Sequence, residues 1–182
     1  MISICEKYKK EIILEMKKEF KLKNDFEVPK IKKVVVNVGM GKFLKDSNQV
    51  ADIAKTLENI TGQKPLVTKA KQSIAGFKIR EGLEIGQKIT LRGKRMWDFI
   101  EKLVGAALPR VRDFHGIKVS SVDENGNLNI GIKEHLIFPE ILPEQVKNIF
   151  GLEVTIVTDA KNREMGITLF KMMKFPFEIK SK

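Results

Sequence analysis

Apolar residues recur at helical spacing in four stretches of the chain. In the first stretch, Tyr8, Ile12, Met16 and Phe20 follow one another every four positions, which predicts an amphipathic helix over residues 3–22. Similar spacing predicts three further helices, over residues 47–60, 95–108 and 163–174. Each predicted helix has one apolar face, so each is expected to pack against a common core.

Runs rich in β-branched residues predict strands between these helices. The predicted strands cover residues 31–40, 65–68, 85–91, 119–122, 128–132 and 152–157. Asn125-Gly126 is a strong turn signal and predicts a hairpin that joins the fourth strand to the fifth. The pattern therefore predicts one α+β domain over residues 1–182, with a largely antiparallel sheet, helices packed on one face and the other face open.

Polar side chains alternate with apolar ones in two of the predicted strands. Val34, Val36 and Val38 share one face of the first strand, while Lys33 and Asn37 share the other. In the third strand the polar set is Lys88, Thr90 and Arg92. Amides, hydroxyls and cations suit the 2′-hydroxyls and phosphates of an A-form RNA minor groove. An ordinary solvated antiparallel face has the same pattern, so both interpretations stay open at this point.

The composition adds a strong positive charge. The 182 residues include 34 Lys and Arg against 23 Asp and Glu, which gives a formal net charge of +11. Residues 64–118 carry 13 basic and 5 acidic side chains, whereas residues 119–159 carry 2 basic and 7 acidic ones. A focused basic surface favours a polyanionic partner, because each neutralised phosphate releases condensed counterions. Nucleic acid is therefore the favoured partner, and a membrane surface or a protein bound through the acidic segment are the alternatives.

Residues 69–82 follow neither a helical nor a strand period and are predicted to form a long basic loop. The segment carries four cations and one aromatic residue: Lys69, Lys71, Lys78, Arg80 and Phe77. Long loops inside compact domains are usually functional or disordered. The functional interpretation is a mobile arm that becomes ordered on RNA, and the alternative is an exposed loop without a role.

A nucleotide-binding motif is suggested by Gly39-Met40-Gly41-Lys42, which follows a predicted strand. A P-loop, however, requires Gly where Val36 stands and Ser or Thr where Phe43 stands. The segment is therefore predicted to be a flexible turn. An RNA-modifying or nucleotide-using enzyme stays open only as an alternative, and it would need a pocket that holds acid-base groups.

Metal binding and membrane insertion find no support in the residues. Cys5, His115 and His135 are the only Cys and His residues, and they lie too far apart for a structural zinc site. We expect both histidines in turns or surface loops, and we expect no metal and no cofactor. No uncharged apolar stretch approaches the ~20 residues of a membrane span, and the charged N-terminus lacks the features of a signal peptide. A cytoplasmic protein is predicted.

A series of co-linear motifs makes the sequence recognisable. The motifs are Asn-Val-Gly-x-Gly at 37–41, Ile-Thr-Gly-Gln-Lys-Pro at 60–65, Lys-Ala-Lys-x-Ser-Ile-Ala-x-Phe-Lys-Ile-Arg-Glu-Gly at 69–82, Thr-Leu-Arg-Gly at 90–93, Leu-Pro-Arg-Val-Arg-Asp-Phe-x-Gly at 108–116, Asn-Gly-Asn-Leu-Asn-Ile-Gly-Ile-Lys-Glu at 125–134 and Ile-Phe-Pro-Glu-Ile at 137–141. Together they closely resemble the universal large-subunit ribosomal protein five family in its bacterial form. The resemblance covers nearly the whole chain.

The resemblance implies a structural, non-enzymatic constituent of the large ribosomal subunit that binds 5S rRNA in the central protuberance. It implies that the open sheet face grips 5S rRNA through the neutral side chains of Asn37, Gln63 and Thr90. We expect cations around these three residues to complete the rRNA-binding site, namely Lys33, Lys64, Lys88 and Arg92.

The resemblance also implies partners beyond 5S rRNA. The basic loop is similar to an arm that reaches P-site tRNA, and its predicted contact residues are Lys69, Lys71, Gln72, Ser73, Ile74, Ala75, Gly76, Phe77, Lys78 and Arg80. Further implied partners are 23S rRNA, neighbouring 5S-binding large-subunit proteins and small-subunit ribosomal protein thirteen. The contact with protein thirteen would bridge to the head of the small subunit, and we expect it among the turns after Pro109.

Overall fold

A five-stranded antiparallel sheet organises the chain in the computed structural model, which describes residues 4–41, 43, 47–77, 79–142, 144, 146 and 148–178. The strands are β1 (Ile31–Gly39), β2 (Leu66–Lys69), β3 (Glu84–Leu91), β4 (Leu128–Ile132) and β5 (Leu152–Thr158). Their order in the sheet is β2-β3-β1-β5-β4. The predicted α+β class and antiparallel sheet are confirmed.

All four predicted helices are present, with boundaries that differ by a few residues. The first consists of α1 (Ile4–Lys7), a π-helical turn (Tyr8–Ile12) and α2 (Ile13–Phe20). The others are α3 (Ser47–Thr61), α4 (Gly93–Lys102) with a following π-helical segment (Leu103–Ala107), and α5 (Arg163–Met172). Among the residues that the structure describes, no helix combines the length and the apolar character that a membrane crossing needs.

The chain divides into two compact units. Unit one contains Met1–Val34, Leu91–Ile130 and Thr155–Lys182. In its core the Tyr8 ring lies against Trp97, with ring centroids 5.7 Å apart, and the Tyr8 hydroxyl donates to the carbonyl of Pro29 at 3.1 Å. Burial, followed by the negative charge of Asp159, raises the pKa of Tyr8 to about 12. This phenol therefore stays neutral and serves as a hydrogen-bond donor.

Unit two contains Val35–Thr90 and Gly131–Val154. Its core joins the buried side chains of β1 and β3 to the apolar stripe of α3, formed by Ile53, Leu57 and Ile60. The Gln87 side-chain amide, which is buried on β3, donates to the carbonyl of Val50 on α3 at 2.9 Å. This bond places α3 on the same face of β3 as the buried side chains, so the opposite face of β3 carries its polar residues.

The predicted strand over residues 119–122 is wrong in all but its last residue. Val119–Ser121 forms a 3-10 turn, and only Val122 pairs with Leu128 in an isolated bridge. The Asp123 carboxylate accepts bonds from both the backbone and the side-chain amide of Asn127, at 2.7 and 2.8 Å. The turn around Asn125-Gly126 is thus closed by a side chain rather than by a ladder of backbone bonds.

His135 does not lie on the surface, which corrects the expectation for this residue. It is 1% exposed, and its ring stacks on Phe150 with centroids 4.0 Å apart and 10° between the planes. Burial lowers the pKa of the imidazole, and this effect outweighs the opposing influence of the Phe150 backbone and the Glu134 charge. His135 is therefore a neutral core residue near neutral pH.

Candidate nucleic-acid interface

Asn37 and Thr90 occupy the non-core positions of two strands in unit two. Asn37 is exposed between the buried Val36 and Val38 of β1. Thr90 is half-buried between the buried Ile89 and Leu91 of β3. Because successive side chains of a strand point to opposite faces, both residues lie on the face away from the apolar core.

Gln63 reaches this area because α3 ends just before it. The Thr61 hydroxyl bonds to the carbonyl of Leu57 at 2.7 Å, and Gly62 adopts the left-handed conformation with φ +67°. This is the usual way for a helix to stop and for its chain to change direction. The side-chain amide of Gln63 then donates to the backbone carbonyl of Thr90 at 3.4 Å. Two of the three predicted neutral contact residues are thus direct neighbours.

The pairing of β1 with β3 brings Asn37 towards the same region. The Met40 amide donates to the carbonyl of Ile85 at 2.9 Å. Since antiparallel strands step in opposite directions from such a bond, Asn37 lies in the ladder near Lys88. On the other side of β3, Lys88 pairs with Leu66 of β2. Lys88 therefore stands between the two neighbouring strands on the open face.

The cations predicted for this site are largely accessible. Lys64, Lys88 and Arg92 are exposed, and Lys33 is half-buried. None of these four makes an ion pair with another residue that the structure describes. Lys64 and Lys88 belong to unit two together with the three neutral residues, whereas Lys33 and Arg92 belong to unit one. The open face of unit two thus combines neutral hydrogen-bonding groups with free positive charge.

An open trough of about 490 Å³ borders Asn37. Three glycines of unit two line it, Gly39, Gly131 and Gly151, together with the charged Lys133 and Glu153. A Cβ atom at Gly39 or Gly131 would meet nothing within 4 Å. Glycine within a strand costs stability, and here the trough leaves backbone accessible beside Asn37. Residue spacing alone gave no indication of this trough.

The basic loop is folded, which corrects its prediction as an irregular segment. Ile74 and Ile79 exchange two backbone hydrogen bonds, of 2.9 and 3.2 Å. At the base of the segment, Ala70 donates to Leu83 at 2.8 Å and accepts from Gly82 at 3.0 Å. The segment is therefore a narrow backbone-bonded hairpin, with a 3-10 turn, Ala75–Phe77, at its tip.

The side chains of this hairpin point largely into solvent. The predicted contact residues that are exposed are Lys69, Lys71, Gln72, Ser73, Ile74, Ala75, Gly76, Phe77 and Arg80. Phe77 is 75% exposed at the tip, and the Ser73 hydroxyl accepts from the Glu81 amide at 2.9 Å. Lys78 lies outside the described residues. The hairpin thus presents cations and apolar groups from a short, bonded backbone.

A second cavity, of about 270 Å³, lies in unit two beside α3. His135 and Phe150 line it with the carboxylates of Asp52 and Glu140 and with the Lys55 ammonium. Its one imidazole is buried and bonded to the Phe150 backbone. In the described part of the chain, no group of three or more Cys, His, Asp or Glu side chains is placed to hold a metal ion.

Comparison with known proteins decides the family. Residues 24–80 match the family described as Ribosomal protein L5, and residues 84–177 match the family that describes the C-terminus of the same ribosomal protein. The chain belongs to the ribosomal protein L5 family. It is therefore a protein of the large ribosomal subunit and not an enzyme, and its partners are rRNA and ribosomal proteins.

Three relatives show how far the similarity extends. The Large ribosomal subunit protein uL5 of Halothermothrix orenii is 48% identical over 97% of this chain and 99% of its own length. The proteins of that name from Kosmotoga olearia and Syntrophomonas wolfei are each 47% identical over 97% of this chain, covering 97% and 99% of their own lengths. The L5 family similarity therefore includes both the open sheet face and the basic hairpin.

Proposed function

We propose that this L5 family protein binds 5S rRNA through the open sheet face, with Asn37, Gln63 and Thr90 at its centre. The observation that carries the proposal is their arrangement within unit two: Asn37 and Thr90 lie on the non-core face, and Gln63 bonds to the Thr90 backbone at 3.4 Å. Neutral donors and acceptors on a pleated surface match the 2′-hydroxyls and base edges of a shallow RNA minor groove.

The cations supply a second, separable contribution. Lys64 and Lys88 are exposed beside the neutral residues and make no ion pair with the described residues, so they can neutralise phosphates. Phosphate contacts provide salt-sensitive affinity, whereas contacts with sugars and bases fix the register on the RNA. Binding involves no covalent step.

The proposal is tested by replacing Asn37, Gln63 and Thr90 together with Ala and measuring 5S rRNA retention in a mobility shift. If each lost hydrogen bond is worth about 1 kcal/mol, the affinity should fall roughly 100-fold. The matched control replaces Lys55 and Asn59, two exposed polar residues of α3, and should bind as wild type. Unchanged affinity of the triple variant, with an intact circular-dichroism melt, would reject the assignment.

We propose a second contact for the basic hairpin, with P-site tRNA. Its support is the exposure of Lys71, Phe77 and Arg80 on a backbone-bonded hairpin with an apolar tip. Replacing Lys71 and Arg80 with Ala should lower tRNA occupancy of the P site on assembled ribosomes and leave 5S rRNA affinity unchanged. A loss of 5S rRNA affinity instead would mean that the hairpin belongs to the rRNA interface.

Contacts with 23S rRNA, neighbouring 5S-binding proteins and small-subunit ribosomal protein thirteen complete the proposal. The turns after Pro109 offer exposed cations, Arg110 and Arg112, and a left-handed Asp113 with φ 51°. Cross-linking from a cysteine introduced at Arg112 should capture a small-subunit protein on assembled ribosomes. Capture of large-subunit components alone would remove the bridge from the proposal.

A further inference from the structure

Phe26 is the most exposed of the large apolar side chains in the described chain. It is 98% exposed, compared with 75% for Phe77 and 58% for Leu14. It stands in the middle of a 3-10 turn, Asp25–Glu27, between α2 and β1 in unit one. An aromatic ring left wholly in water gains nothing from the fold of its own chain, so its presence calls for an external partner.

The turn that carries Phe26 is anchored on both sides. The Glu27 amide donates to Asn24 at 3.2 Å, and the Val28 amide donates to Asp25 at 3.3 Å. Directly after the turn, Val28 is buried, and the carbonyl of Pro29 accepts the buried Tyr8 hydroxyl. The exposure of Phe26 is therefore set by a bonded backbone.

The charge around Phe26 favours an anionic partner. The Asp25 carboxylate is paired with Lys17 at 2.5 Å, and the Glu27 carboxylate accepts the Lys23 backbone amide at 3.3 Å. The flanking acids are thus engaged within the chain. Exposed lysines precede and follow the turn, and three of them, Lys21, Lys23 and Lys30, have no ion pair with a described residue.

Lys21 gives a separate indication that positive charge is needed here. It ends α2 in the left-handed conformation, with φ 52°. Glycine is favoured at such a position, and a residue with a side chain adopts it at a cost of roughly 1 kcal/mol. The chain therefore keeps a cation where glycine would fold more easily.

We propose that Phe26 is a stacking platform for an unpaired base of ribosomal RNA, with the surrounding lysines holding the adjacent phosphates. Sequence-tolerant RNA binding combines these two elements, an aromatic face and a cationic surface. The partner class, rRNA, follows from L5 family membership, and the site is independent of the open sheet face. A protein partner fits less well, because one ring provides far less than the roughly 800 Å² that each side of a stable protein interface buries.

Three variants of Phe26 test the proposal in the full chain. Filter binding to protein-free 5S rRNA and 23S rRNA is measured at one fixed salt concentration for Phe26→Ala, Phe26→Trp and Phe26→Leu. Phe26→Ala should weaken binding to at least one of the two RNAs by roughly 5- to 150-fold, the range expected for one stacked base. Phe26→Trp should restore the affinity and Phe26→Leu should not, because stacking needs a π-face.

Fluorescence gives an independent signature and Leu14→Ala a matched control. RNA should quench the added indole of Phe26→Trp beyond the signal change of the wild type, whose single tryptophan is Trp97. Leu14→Ala, which truncates another exposed apolar side chain of unit one, should bind both RNAs as wild type. Equal binding by Phe26→Ala and wild type would overturn the proposal, and so would rescue by Leu, which would indicate a protein partner.

Discussion

Two glycines of unit one allow a comparison in which the same substitution should have opposite effects on stability. Gly166 of α5 lies against the turn at Gly126, and an added Cβ atom would stand 2.6 Å from the Gly126 Cα and 2.7 Å from its carbonyl oxygen. Gly105 lies in the π-helical segment after α4, and a Cβ atom there would meet nothing within 4 Å. Only the first substitution creates a clash, and the clash is with backbone.

The size of the effect follows from these distances. To admit a Cβ atom at Gly166, the two backbones must separate by roughly 0.8 Å, from 2.6 Å to the 3.4 Å at which ordinary contact begins. α5 cannot shift freely, because Met165, Leu169 and Phe170 are buried. Overpacking of this kind costs about 3 kcal/mol or more, whereas Gly105→Ala should gain about 0.5–1 kcal/mol from helix propensity.

Thermal unfolding followed by circular dichroism measures both effects. In a chain of this length 1 kcal/mol shifts the midpoint by about 2–4 °C, so Gly166→Ala should lower Tm by roughly 6–12 °C. Gly105→Ala should raise Tm by about 1–4 °C. If Gly166→Ala melts like the wild type, then α5 does not rest on the Gly126 turn, and the packing described for unit one is wrong.

Two further predictions concern the pH and salt dependence of the protein. Burial lowers the pKa of His135 in the folded state, so its contribution to stability is present above the unfolded pKa of about 6.5 and is lost as the pH falls below it; urea midpoints at pH 7.5 and 5.5 should converge in His135→Gln, and an equal loss in both proteins would contradict this. Replacing Lys88 and Arg92 with Ala should reduce the slope of log affinity for 5S rRNA against log salt by roughly 1.5, and an unchanged slope would show that neither cation touches phosphate.

The sequence pattern predicts the elements well where one face of an element is buried. Apolar spacing locates all four helices, and alternation in β1 and β3 assigns Asn37 and Thr90 to the face away from the core. In each case the buried side chains repeat with the period of the backbone, so a one-dimensional pattern carries the information. The antiparallel α+β class follows from the same signals.

The failures occur where a few particular contacts decide the structure. Asp123 closes its turn through side-chain bonds, so the strand expected before it does not form. The basic hairpin is held by single residues, Ile74 and Ile79, which give no periodic signal. His135 is buried by stacking on Phe150, a residue fifteen positions away, and no local pattern reveals such a pair.

The candidate site was predictable only in part from residue spacing. Gln63 lies in no strand, and its place beside Thr90 depends on how α3 ends at Gly62. Only the resemblance to a family indicated its role. Phe26 could have been noticed as an aromatic residue between two acids, but its exposure depends on the bonded turn that carries it. Long-range geometry of this kind is absent from composition and period.

The central claim, that the open sheet face binds 5S rRNA, is tested most directly by cleavage from that face. The chain has a single cysteine, Cys5, so a Cys5→Ser background permits an iron chelate to be attached at Lys88→Cys on β3 or, as control, at Glu58→Cys on the exposed side of α3. Lys88→Cys should cut 5S rRNA at a few adjacent nucleotides in the complex, and Glu58→Cys should leave that segment intact. Cleavage from Glu58→Cys and none from Lys88→Cys would place the RNA on the helical side and contradict the account.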